Sequence, residues 1–112
     1  MKLFTGLKRI RDLQRLQLPF VKSIIDFDIV IEIGYGEEHG RAVTLKRLYL
    51  LDLCSQGTMR RKLATLISQG IVIRRTHATD RRASLLVISP GAVKLLGKYC
   101  GGLSTISATH FN

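Results

Sequence analysis

Ser55, Gln56, Thr58, Arg60, Arg61 and Lys62 fall within one short run, SQGTMRRKLATLISQG, residues 55–70. Hydroxyls, an amide and cations at this density suit one kind of chemistry: hydrogen bonding to a polyanion whose own edges carry donors and acceptors. An arginine reaches both acceptors of a guanine edge, a glutamine does the same for adenine, and a serine hydroxyl or a helix-terminal amide can hold a phosphate. The placing of the charge sharpens the inference, because cations near the start of a helix gain nothing from a dipole that is already positive there. That penalty is at most about 1 kcal/mol, whereas a good base contact is worth roughly 1–3 kcal/mol in discrimination. Function outweighs helix stability at this position.

A second group follows. Arg74, Arg75, Arg81 and Arg82 join the first three cations between residues 55 and 82, where Asp80 is the only acid. Five of the eight acids, Asp26, Asp28, Glu32, Glu37 and Glu38, lie instead within residues 26–38. The net charge of +10 on 112 residues is therefore a patch, not a background. Such a patch points to nucleic acid first and to an acidic membrane surface second. A merely solvated basic face and a plain turn-forming role for Asp80 are the bland alternatives.

Other chemistry finds little support. Cys54 and Cys100 share no CxxC or Cys/His spacing, and His39, His77 and His110 are scattered, so neither a metal nor a cofactor is expected. GYG at residues 34–36 tempts a dinucleotide-loop reading, but His39 stands where a third glycine belongs and Glu37 and Glu38 would repel a pyrophosphate. No nucleophile–base pair, carboxylate pair or phosphate loop marks an enzyme. The opening MKLFTGLKRIRD lacks the apolar core of a signal sequence, and no apolar run approaches the roughly 18 residues of a membrane span, so a cytoplasmic location is the expectation. Cys54, in the turn before the basic helix, reads as a small packed thiol before it reads as a redox sensor.

These side chains need elements to hold them. Leu3, Leu7, Ile10, Leu13 and Leu16 recur at three- and four-residue spacing, which predicts an amphipathic helix over residues 3–17, closed by Pro19, itself suited to the first turn of the next element. Residues 20–33 read equally as a strand, alternating through Ile25, Phe27, Ile29, Ile31 and Ile33, or as a helix with Phe20, Ile24, Phe27 and Ile31 inward. GYGEEHGRA reads as a turn. Thr44 suits the N-cap of a short helix through Leu51, with Leu45, Leu48 and Leu51 inward, and after about three connecting residues Ser55 suits the next N-cap. In that second helix Met59, Leu63, Leu66 and Ile67 form the apolar stripe, and Gly70 ends it. Two helices so joined make a helix-turn-helix. IVIRR, THATDRRA and SLLVIS then predict a hairpin, and Pro90 opens a last helix with Val93, Leu96 and Tyr99 on one face, weakened by Gly101 and Gly102.

LKRLYLL, then LCSQGTMRRKLATLISQGIVIRR, then DRRASLLVISPG resembles a MarR-type winged helix-turn-helix transcriptional regulator over residues 27–99. The most specific parts are Ser55, Thr58 and Arg61 on one helix, Gly70 before a strand ending in arginine, Asp80 and Arg82 in the wing, and the exit from Leu86 to Gly91. The resemblance implies a mostly α single domain with a small β wing, and it makes residues 20–33 helical. It implies a sequence-specific DNA-binding regulator, with the recognition helix (residues 55–69) in the major groove and the wing (residues 71–89) at the minor groove.

The DNA-contacting set is then Ser55, Gln56, Thr58, Arg60, Arg61, Lys62, Arg75, Asp80, Arg81 and Arg82, with Asp80 orienting Arg81 or Arg82. It also implies a homodimer through terminal helices, placing Leu3, Leu7, Ile10 and Leu13 at the interface and leaving a small-molecule effector open. The chain divides accordingly into a dimerisation helix (1–18), a DNA-binding domain (19–99) and a C-terminal helix end (100–112). It departs from the family in its short length and in Gly101 and Gly102. A winged-helix protein-interaction module without DNA binding, and a membrane-surface protein using the basic N-terminal helix, are the alternatives from other classes.

Overall fold

The computed structural model of the chain describes residues 1–76 and 84–112. In chain order the elements are α1 (Leu3–Gln17), α2 (Ile24–Glu38), β1 (Val43–Thr44), α3 (Leu45–Leu50), α4 (Gln56–Ser68), β2 (Val72–Thr76), β3 (Ser84–Ile88) and α5 (Pro90–His110). They gather into two compact units, one made of Met1–Val21 with Pro90–Asn112, the other of Lys22–Ser89. The two chain ends thus form one body, where the sequence suggests consecutive segments bounded at residues 18 and 99.

In the unit of terminal helices, α1 packs along α5. Their close approach explains one of the two glycines that weaken the last helix in the sequence. A methyl group on Gly102 would overlap the Leu13 side chain, so the glycine admits α1 and α5 continues unbroken to His110. The seam does not follow the five-leucine-and-isoleucine stripe. Ile10 and Leu13 are half-buried, but Leu3, Leu7 and Leu16 are exposed, and Gly6 is the buried residue of α1. On α5 the inward residues are Ala92, Leu96 and Tyr99, while Val93 is exposed. Pro19 lies in a turn closed by the Val21 N–H donating to the Leu18 carbonyl at 3.0 Å, not in the first turn of α2.

In the second unit the sheet order is β1-β3-β2, antiparallel throughout, with Val43 opposite Leu86 and Val72 opposite Ile88. Ile29, Val30 and Ile33 of α2, Leu48 of α3, and Met59, Leu63 and Leu66 of α4 are buried, as are Val43, Val72, Leu86 and Ile88 of the sheet. The resemblance implies a helix over residues 20–33; the helix instead spans residues 24–38, with 20–23 outside it, and its inward face is not the expected one. Ile24 is 77% and Ile31 50% exposed. Apolar residues occur on every side of α2, so periodicity cannot select its buried face.

The helix also runs through Gly34, Tyr35 and Gly36, so the expected turn is confined to residues 39–42. The short strand β1, unread in the sequence, follows it. Because Ser89 N–H donates to the Ile71 carbonyl on the β2 side, the preceding N–H of Ile88 faces the β1 side, and there the Glu37 carboxylate accepts it.

Candidate nucleic-acid interface

Thr44 Oγ1 accepts the Arg47 N–H at 3.0 Å, capping α3 as its sequence suggests. That helix ends at Leu50, so five residues, not three, connect it to α4; Asp52, at φ 54°, turns the chain in the left-handed region. Ser55 then caps α4. Its Oγ accepts the Thr58 N–H at 3.2 Å and its hydroxyl donates to Thr58 Oγ1 at 3.0 Å. Arg61 Nη2 donates to the same Thr58 oxygen at 3.2 Å. One small network therefore starts the helix and holds a guanidinium. At the other end Gly70, at φ 73°, allows its own N–H to reach the Ile67 carbonyl and the Ile71 N–H to reach that of Leu66.

Gln56, Arg60 and Arg61 are exposed, and no acidic residue occupies the first turn of α4 to offset them. With Ser55 and Thr58, they present an amide, two guanidiniums and two hydroxyls on the leading half of one helix. Lys62 departs from this expected set. Its ammonium lies 3.1 Å from both Asp26 Oδ1 and Ser23 Oγ, and its side chain is mostly buried. Its ion pair also acts on Asp26. Burial pushes that carboxyl upward, but the Lys62 hydrogen bond, the Lys22 and Ser23 N–H groups and the Lys62 charge outweigh it, and the pKa falls below the ordinary 3.8.

The hairpin brings one more cation towards α4. Arg74 and Arg60 line the same cavity of about 480 Å³, together with Leu45, Tyr49, Leu63 and Ile67. Arg74 Nε donates to Ser84 Oγ at 3.0 Å across the hairpin. Arg75 is exposed, and strand alternation turns it to the face opposite Arg74. Asp80, Arg81 and Arg82 lie outside the described residues. Lys46 and Arg47, exposed on α3, were not singled out in the sequence; their position on the first helix of the pair is the signal that could have found them. Among the described residues, no group of three or more His, Cys, Asp or Glu is placed to hold a metal ion, and no helix is long and apolar enough to cross a membrane.

No family model matches the sequence, and no curated protein does. Solved structures do. The transcriptional regulator Tm0710 from Thermotoga maritima is similar over 96% of this chain and 70% of its own, at 22% identity and a TM-score of 0.71. The fold is that of MarR-type regulators. A cysteine-to-serine mutant of MarR from E. coli, solved with operator DNA, is similar over 86% of this chain and 66% of its own, at 21% identity and a TM-score of 0.59. BpsR from Bordetella bronchiseptica, whose DNA binding is regulated by 6-hydroxynicotinic acid, is similar over 98% and 76%, at 18% identity and a TM-score of 0.58. In the MarR-type fold of this chain, α3 and α4 form the helix-turn-helix and β2–β3 the two long strands of the wing sheet.

Proposed function

We propose that this chain is a sequence-specific, DNA-binding transcription regulator that acts as a homodimer in the cytoplasm and carries out no catalysis. The observation that supports it most is the leading half of α4, where Gln56 and Arg60 are exposed and the Ser55–Thr58 network holds the exposed Arg61 guanidinium. In this reading α4 enters the major groove with Gln56, Arg60 and Arg61 at base edges, Ser55 and Thr58 near the backbone, and Lys46 and Arg47 of α3 on phosphates. The wing, residues 71–89, lies at the adjacent minor groove. Arg75, Arg81 and Arg82 meet its concentrated negative potential there, and Asp80 orients a neighbouring guanidinium.

Exposed Leu3, Phe4 and Leu7 of α1, with Val93 and Leu95 of α5, give the terminal helices apolar surface for a second copy. Leu13 is already engaged by Gly102 within the chain, so its share in that interface is smaller than the sequence suggests. A two-fold pair would set two α4 helices about one helical turn apart on the duplex. A small organic effector, such as 6-hydroxynicotinic acid is for BpsR, belongs to the same reading.

The test is titration of a duplex selected from a random pool, repeated across salt concentrations. Six phosphate contacts give a slope of log affinity against log salt of about −5. A slope near zero rejects the proposal.

A further inference from the structure

Three adjacent cations in the sequence take two different roles in the structure. Arg60 and Arg61 are exposed, but Lys62 lies three residues after Met59 and four before Leu66, both buried, which sets it on the inward flank of α4. There it meets the first turn of α2. Asp26 is 5% exposed, and its Oδ2 accepts the Lys22 and Ser23 N–H groups at 2.9 Å each and the Ser23 hydroxyl at 3.3 Å. Its other oxygen, Oδ1, takes the Lys62 ammonium at 3.1 Å, and that ammonium also donates to Ser23 Oγ at 3.1 Å. One lysine thereby ties the cap of α2 to the middle of α4, across 36 residues of sequence.

The pair is not an ordinary surface bridge. Its side chains are 24% and 7% exposed. Exposed pairs contribute little, but withdrawing one partner of a buried pair strands a charge away from water. Lys62 therefore cannot swing out to a phosphate without leaving Asp26 uncompensated.

We propose that Lys62 is a positioning residue: with Asp26 and Ser23 it fixes the rotation of α4 so that Gln56, Arg60 and Arg61 face the duplex, and it does not itself touch DNA. This rests on the DNA-binding reading above. It removes Lys62 from the contact set that its sequence neighbours suggest, and it adds Asp26, an acid on another helix, to the residues that govern recognition.

Lys62→Met, Asp26→Asn and the double variant test it, with Lys62→Arg as the conservative control, by duplex titration across salt and by amide hydrogen exchange of α4 without DNA. Either disrupting single substitution is expected to reduce preference for the selected duplex over a scrambled one about tenfold, the double no further, since residues sharing one interaction are not additive. The salt slope stays at the wild-type value, α4 exchanges faster in both single variants, and Lys62→Arg restores protection.

A slope shallower by about one in Lys62→Met, with Asp26→Asn unaffected or tighter-binding, is the signature of a phosphate contact and overturns the proposal. If the wild-type chain binds no duplex, the DNA reading falls on its own. Exchange then decides the positioning role: unchanged α4 protection in both single variants overturns it, and equal loss in both supports it.

Discussion

The Gly36 carbonyl accepts the Arg41 N–H at 2.8 Å, and the Arg41 carbonyl turns back to within 2.6 Å of where a Cβ on Gly36 would stand. Val43 closes in beside it, at 2.7 Å from the same point. This contact reverses the chain from α2 into the edge strand β1, which leads into α3. Gly36→Ala should therefore be destabilising by about 1–3 kcal/mol, because backbone and not a pliable side chain stands in the way. Gly34→Ala has Ile88 Cγ1 at an ordinary 3.8 Å and gains helix propensity, so it should be neutral or stabilising by up to about 1 kcal/mol. Urea midpoints at constant m-value measure both; equal effects would remove the close approach as the reason for Gly36.

Gly101 and Gly102 make a matched pair on α5. A Cβ on Gly101 meets nothing within 4 Å, whereas one on Gly102 meets Leu13. Gly101→Ala should stabilise the chain by about 0.5–1 kcal/mol through helix propensity alone. Gly102→Ala should lose that gain, and adding Leu13→Ala should recover part of it, since the overlap is with the end of one side chain. Thermal unfolding of the three variants separates the two effects.

Both glycine pairs also show where the sequence was legible and where it was not. Ser55, Thr58, Gly70 and the hairpin signals are local devices: an N-cap or a left-handed terminator depends on residues within one turn, and these were readable at their positions. Gly36 and Gly102 answer to Arg41 and Leu13, and a glycine required by a neighbour looks in the sequence like a turn or a break. The inward face of α2 was hidden for a related reason, since a helix apolar on all sides carries no preferred stripe. The pairing of Lys62 with Asp26 is hidden in the sequence because the neighbours of Lys62 are arginines, while Asp26 sits in the acidic segment of α2.

Ser55 caps α4 and engages Thr58, which in turn holds Arg61, so one hydroxyl supports both helix and site. Ser55→Ala should destabilise the fold by about 0.5–2 kcal/mol, and Ser55→Gly by only a few tenths. If the network also orients Arg61, Ser55→Gly should still weaken preference for a selected duplex, despite its near-normal stability. A glycine variant with unaltered preference would limit Ser55 to capping.

Asp26 gives the fold an acid limb. Its folded-state pKa is below the ordinary 3.8, so the ionised form stabilises the native chain; the contribution is complete above 3.8 and is lost as pH falls through the depressed value. Burial alone would act the other way, which makes Lys62 and the two backbone N–H donors responsible for the net sign. The urea midpoint of the wild-type chain should therefore decline more steeply on acidification below about pH 4 than that of Asp26→Asn, whose amide does not titrate in that range. Lys62→Met, with the main charged partner gone, should raise the Asp26 pKa, narrow its gap from the unfolded value and so flatten the decline. A Lys62→Met profile parallel to wild type, with Asp26→Asn flatter than both, would mean that the hydrogen bonds of the α2 cap alone hold the carboxylate, and parallel profiles for all three chains would remove Asp26 as the source of the acid limb.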